Sequence, residues 1–156
     1  LRHLFLLSLV LSFIVLANPF TSLYADEVDE MVKILNEEVR KGNADEFAKK
    51  IAETSKDEDR FSEFNYVKFG KQAGDFIDAI KIYGDYVSHD SLKKRECGER
   101  IARVVSVFFM TEGHVAIDYW FFKPVDKWVL SSFNVKGQAG ATSFIQKLSE
   151  ISSTSC

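Results

Sequence analysis

The hydrophobic period changes once along this chain, and that change restricts the fold more than any other feature. Up to about residue 82, apolar side chains recur at the 3.6-residue spacing of amphipathic helices; beyond Gly84 they alternate with a period of two, as in strands. Helices followed by strands, with no internal repeat or linker, describe a single α+β domain in which a helical layer packs on an antiparallel sheet.

Val28, Met31, Val32, Leu35 and Val39 form one helical stripe, with Asp29, Glu30, Lys33, Asn36, Glu37 and Arg40 assigned to the solvent side and Gly42 to the end of the helix. Asn43 is the expected N-cap of a second helix, with Glu46 as its capping-box partner and Ala44, Phe47, Ala48 and Ile51 as its apolar face. Residues 55–72 show no clean period and receive no assignment; Phe76, Ile77 and Ile80 then place a third helix over residues 74–82, closed by Gly84. β-Branched and aromatic residues crowd residues 101–110, 114–122 and 128–135. Turn signals at Glu96-Cys97-Gly98-Glu99, Thr111-Glu112-Gly113-His114 and Pro124-Val125-Asp126-Lys127 divide this half into four strands of a curved antiparallel meander. Phe144, Ile145, Leu148 and Ile151 suggest a C-terminal helix after the break at residues 137–140.

This order of elements, the long strands over 101–110 and 114–122, and the ending Asp126-Lys127-Trp128-Val129-Leu130-Ser131-Ser132-Phe133 resemble the nuclear-transport-factor-2-like superfamily, in an exported bacterial branch. The resemblance covers most of residues 26–137 and implies a cone-shaped, cystatin-like roll whose sheet wraps around the helices. That superfamily includes isomerases, dehydratases, cyclases and non-enzymatic binding or assembly domains, so the resemblance does not select a function.

Arg2 and His3 precede an apolar run from Leu4 to Ala17, and Leu23-Tyr24-Ala25 leads into Asp26. These features predict a secretory signal peptide over residues 1–25 and a mature domain over 26–156, exported to the periplasm or secreted. The run falls short of the ~20 apolar residues of a spanning helix, so no stable membrane insertion is expected after cleavage. Removing Arg2 with the leader leaves 19 basic against 23 acidic residues, a balance that argues against nucleic acid as a partner. Two cysteines and three histidines lack structural-zinc spacing, and no cofactor or metal site is expected. Export allows one disulfide, between Cys97 and Cys156.

Short hairpins predict pairs Met110 with Val115, Ser106 with Tyr119 and Arg103 with Phe122 on the central strands, then Tyr119 with Ser132 and Phe121 with Leu130. Carried through the first turn, the register sets His89 against Ser106 and Asp90 against Val105. One face then carries a transverse row of His89, Ser106, Tyr119 and Ser132 among Val104, Phe108, Val115, Ile117, Phe121, Trp128 and Leu130. Apolar walls with a few convergent polar groups are what small-molecule sites look like, and this row is the candidate ligand-binding set.

The other face carries Val105, Val107, Phe109, Ala116, Trp120, Phe122, Val129 and Phe133, together with Asp90, Arg103 and Asp118. Asp90 and Arg103 are the expected ion pair, because charge on an apolar face is costly unless paired. Asp118 is left without a partner, and an unpaired carboxylate on such a face could serve as a general base. With the helices expected to cover one face only, the second calls for a cover: a homodimer anchored by Phe109, Trp120 and Phe122. Three functions follow: first, a non-catalytic exported domain binding a small, largely apolar molecule; second, a protein-interaction or dimeric assembly module; third, an isomerase- or dehydratase-type enzyme, for which no catalytic set is visible.

Overall fold

The computed structural model describes residues 22–55 and 63–150. Three helices come first, α1 (Ser22–Lys41), α2 (Ala44–Ser55) and α3 (Glu63–Ile80), with a single 3-10 turn over Lys81–Tyr83. Four strands follow, β1 (Tyr86–Cys97), β2 (Ile101–Met110), β3 (Gly113–Phe122) and β4 (Val129–Lys136), and then α4 (Gln138–Glu150). The strands form one open antiparallel sheet in the order β1-β2-β3-β4. The α+β architecture with helices packed on a four-stranded meander is therefore as expected. No helix among the described residues is long and apolar enough to cross a membrane. Of the leader expected over residues 1–25, residues 1–21 fall outside the described residues and 22–25 belong to α1; of the expected Cys97–Cys156 bridge, Cys156 falls outside them.

The connection between α1 and α2 is built by local chemistry. Gly42 adopts φ +64° and donates its N–H to Val39 O at 3.0 Å, while Asn43 N–H reaches Glu38 O at 3.3 Å. This left-handed cap satisfies carbonyls that the helix end leaves open. Asn43 Oδ1 then accepts from Glu46 N–H at 3.2 Å, as a helix N-cap should. The reciprocal arm of the capping box is not needed, because the Asn43 N–H already belongs to Glu38.

α3 starts eleven residues before the position expected from its apolar period. Its early turns are masked in sequence by two glycines, and the structure gives both a steric purpose. A Cβ built on Gly70 would lie 2.6 Å from Ala48 O, and one on Gly74 would lie 3.0 Å from Ala44 O. Both glycines are retained for space, and their absent side chains let α3 approach the alanines of α2 closely.

The inner face of the sheet meets these helices in one core. Val28, Val32, Leu35, Phe47, Ile51 and Ile77 pack with Ala102, Val104, Phe108, Val115, Ile117, Tyr119, Phe121, Trp128 and Leu130. Burying each large apolar side chain contributes on the order of 1.5–3 kcal/mol.

The observed register differs from the expected one in each of the three strand pairs. β2 and β3 are joined by Thr111 and Glu112 alone, so Met110 pairs with Gly113, Ser106 with Ile117 and Arg103 with Trp120. The turn is held at that position because Thr111 N–H donates to Asp85 O and Glu112 N–H to Tyr83 O, both at 2.9 Å. The slip is of two residues, so each side chain keeps its face. In β1, Val87 and Leu92 are extra residues; Ser91 lies opposite Ser106, His89 opposite Phe108 and Asp90 opposite Val107. In β4, Ser131 is extra: Phe121 pairs with Leu130 as expected, but Trp120 pairs with Ser132 and Tyr119 with Phe133. This bulge exchanges the faces of Ser132 and Phe133. Phe133 joins the inner core, its ring 6.4 Å from Phe47 and 5.2 Å from Phe69, and the serine goes to the outer face.

The outer face has a cover of its own from the same chain. α4 folds back over β3 and β4, and Ala141 packs with Val105, Val107 and Ala116 in a second small core. His114 Nε2 lies 3.0 Å from Thr142 Oγ1, tying the same helix to β3. The expectation that the helices cover only one face is corrected: the break at residue 137 returns the chain to the other side.

The close α2–α3 contact yields a stability prediction. Gly70→Ala should destabilise the domain by about 1–3 kcal/mol, overriding the gain in helix propensity of up to ~1 kcal/mol, because the new methyl meets a backbone carbonyl that cannot turn aside. Urea unfolding measures it; an unchanged or raised midpoint contradicts the packing.

Candidate functional site

The centre of the inner face is polar. Ser106 and Tyr119 are fully buried, and both are bonded to Asn36, which is itself only 2% exposed. The Asn36 amide Nδ2 donates to Ser106 Oγ at 2.8 Å, and its Oδ1 accepts from the Tyr119 hydroxyl at 3.1 Å. Ser91 Oγ lies 3.4 Å from Ser106 Oγ and extends the chain of contacts to the exposed surface of the edge strand β1.

Asn36 is the residue that the sequence reasoning missed, having assigned it to the solvent side of α1. The signal was present: position 36 lies four residues after Val32 and three before Val39, inside the apolar stripe. An amide there escapes the cost of burial only because two sheet hydroxyls meet it.

Of the four residues expected to form one row, the structure brings together Ser106 and Tyr119, through Asn36. His89 stands one register step away, half-buried at the β1 edge, where its ring stacks on Phe108 at 5.2 Å and Nδ1 lies 2.8 Å from the Tyr86 hydroxyl. Glu37 and Arg40 of α1 face this edge. Arg40 Nε donates to Glu37 Oε2 at 2.7 Å, and that hydrogen bond holds the Glu37 carboxyl below the usual carboxylate range, with the charges of Arg40, Lys41 and His89 acting in the same direction. Ser132 is absent from the row because the bulge at Ser131 turns it outward.

Chemically, the buried set consists of hydrogen-bonding groups. Burial pushes the Tyr119 phenol up, so it stays a neutral donor throughout the ordinary pH range. An amide and two hydroxyls complete the chain. Such a set can hydrogen-bond and orient a polar group; it holds no group suited to taking a proton near neutral pH.

The charged groups of the outer face are arranged differently from expectation. Arg103 pairs with Asp118, Nε to Oδ1 at 2.8 Å and the terminal nitrogen to Oδ2 at 3.0 Å. Trp120 Nε1 also donates to Asp118 Oδ2, at 3.1 Å, and the guanidinium lies 4.8 Å above the Trp120 ring. Asp118 sits diagonally across from Arg103 because the register slipped by two, whereas Asp90 is exposed opposite Val107. The general-base idea for Asp118 assumed an unpaired carboxylate, and here both oxygens are engaged. Of the three anticipated interface aromatics, Phe109 is 37% exposed, while Trp120 and Phe122 are half-buried.

Among the described residues no three His, Cys, Asp or Glu side chains are grouped to hold a metal ion. Comparison with protein-family profiles, characterised proteins and solved structures finds no match to this chain.

The raised Tyr119 ionisation has a defined pH consequence. The folded state holds this proton more tightly than the unfolded chain, whose phenols ionise near pH ~10, so the associated stability is present below that pH and is lost above it. Wild type should lose about 1.4 kcal/mol per pH unit more than Tyr119→Phe above pH ~10, as measured by urea unfolding at a series of pH values. Parallel curves for the two proteins contradict the buried phenol.

Proposed function

We propose that this chain is a non-catalytic, exported domain that binds a small, largely apolar molecule between α1 and the inner face of the sheet. The observation that carries the reading is the neutral hydrogen-bonding centre of Asn36, Ser106 and Tyr119, set among apolar side chains and linked to the exposed β1 edge by the Ser91–Ser106 contact. In this reading the ligand's polar group joins the Asn36–Ser106–Tyr119 set, both hydroxyls keeping their bonds to Asn36, and its body rests on Phe108, Val104 and Ile117. The bidentate capture of Asp118 by Arg103 supports binding over isomerase- or dehydratase-type chemistry. In this reading the domain is a periplasmic or secreted member of the cone-shaped superfamily that its sequence resembles, working without a cofactor.

A second reading, a homodimeric or protein-interaction module, is favoured by Ile101 and Phe109. They stand 41% and 37% exposed at the two ends of β2, on the face that α4 covers in its middle. Aromatic and aliphatic anchors of this kind are common in interfaces. Light scattering with wild type and Phe109→Asp separates the readings: a dimer lost on substitution favours assembly, and a monomer in both favours the ligand.

The binding reading is tested by fluorescence titration with 1-anilinonaphthalene-8-sulfonate, an apolar probe carrying one polar group. Tyr119→Phe should retain the fold by near-ultraviolet circular dichroism and weaken probe binding by about 0.5–1.5 kcal/mol, the net worth of one hydrogen bond. Equal affinity in the two folded proteins contradicts a site at the polar centre.

A further inference from the structure

The sheet is open, and β1 is both its longest strand and one of its two edges. The far side of β1 meets no strand among the described residues, and Ser88, Asp90 and Ser91 along it are exposed. Such an edge presents a row of N–H and C=O groups to any extended segment that approaches. Proteins guard long edges with bulges and charge, and β1 has both: extra residues at Val87 and Leu92, and the run Lys93-Lys94-Arg95-Glu96. The order of those charges decides what the edge still accepts.

The bulge at Leu92 moves the side-chain alternation by one residue. Asp90 lies opposite Val107 and Arg95 opposite Arg103, so both hold outer-face positions. His89 lies opposite Phe108 and Glu96 opposite Ala102, so both hold inner-face positions. When a second copy of β1 is turned end for end about an axis between Leu92 and Lys93, the two edges are complementary. Asp90 meets the position of Arg95 in the second copy, His89 that of Glu96, Ser91 that of Lys94 and Ser88 that of Cys97. Each of these pairs shares a face, which an unbulged strand would not allow.

A second observation points to the same partner. Arg95 and Arg103 are directly opposite on adjacent strands, and Arg103 is bonded to Asp118. Like charges at opposed positions destabilise a strand pair. A carboxylate brought to Arg95 from the far side offsets that repulsion, and Asp90 of a second copy arrives there in the same pairing.

We infer that β1 is a self-recognition edge, along which two copies pair antiparallel over residues 88–97 and join their four-stranded sheets into one. The inference goes beyond both readings of function: it uses the edge of the sheet and not the face beneath α4, and it leaves the Asn36 centre untouched.

Sedimentation of the wild-type chain from micromolar to millimolar concentration should show a monomer–dimer equilibrium. Asp90→Arg and Arg95→Asp each bring like charges together at both symmetry-related places, and each should weaken the dimer by about tenfold or more with the circular dichroism unchanged. An equimolar mixture of the two variants should dimerise as wild type does, because both outer-face pairs then join an arginine to an aspartate. Amide hydrogen exchange needs no substitution: protection along β1 should rise with concentration. A wild-type chain that stays monomeric at millimolar concentration overturns the inference, as does a dimer that tolerates both variants. A dimer lost on Phe109→Asp, with β1 protection independent of concentration, places assembly on the outer face and overturns it too. Two folded variants that each lose the dimer and do not pair when mixed overturn the proposed pairing.

Discussion

The Asn36 amide holds α1 to the sheet in one place. Apolar contacts along Val28, Val32, Leu35 and Val39 favour burial of this stripe but are tolerant of sliding and rotation, since hydrophobic burial has no direction. An amide that must meet both Ser106 Oγ and the Tyr119 hydroxyl has one position in which all three are satisfied, and any displacement leaves a buried polar group unpaired. The polar centre therefore fixes where the helical layer sits on the sheet.

The two faces of the sheet solve the same problem by different means. Inside, neutral groups satisfy one another in an apolar surround. Outside, a charge pair is kept beside Trp120, with the carboxylate accepting three hydrogen bonds and the guanidinium resting on an aromatic ring. A partly buried pair with this geometry is costly to break on one side, because the remaining charge is left without its partner. The carboxylate that the sequence suggested as a general base is thus committed to structure.

Much of this was legible in the sequence, and the failures have specific causes. The change of period located the helical and strand halves, the Asn43 cap was read correctly, and the face assignments of β2 and β3 survived because their register error was an even number of residues. Errors arose where a backbone device interrupts the period. The extra residue Ser131 reversed Ser132 and Phe133; the turn over residues 98–100, which pairs Cys97 with Ile101, set Ser91 in place of His89 opposite Ser106; and the Met110–Gly113 pairing across Thr111–Glu112 gave Arg103 to Asp118 in place of Asp90. Bulges leave no residue-type signature of the kind that glycine or proline gives a turn. The role of Asn36 was hidden for another reason: polar residues on a helix are assigned to solvent by default, and only the opposing hydroxyls, distant in sequence, reveal the exception.

The claim on which the account depends is that Asn36 and Tyr119 act as one unit across the α1–sheet boundary. A double-mutant cycle with Asn36→Leu, Tyr119→Phe and the double variant, followed by urea unfolding, measures that coupling directly. The account predicts an interaction energy of about 0.5–1.5 kcal/mol, with the double variant less destabilised than the sum of the single ones, because each single change strands a buried polar partner that the double change removes. Strict additivity would mean that the two side chains do not share a hydrogen bond and would contradict their acting as one unit across the α1–sheet boundary.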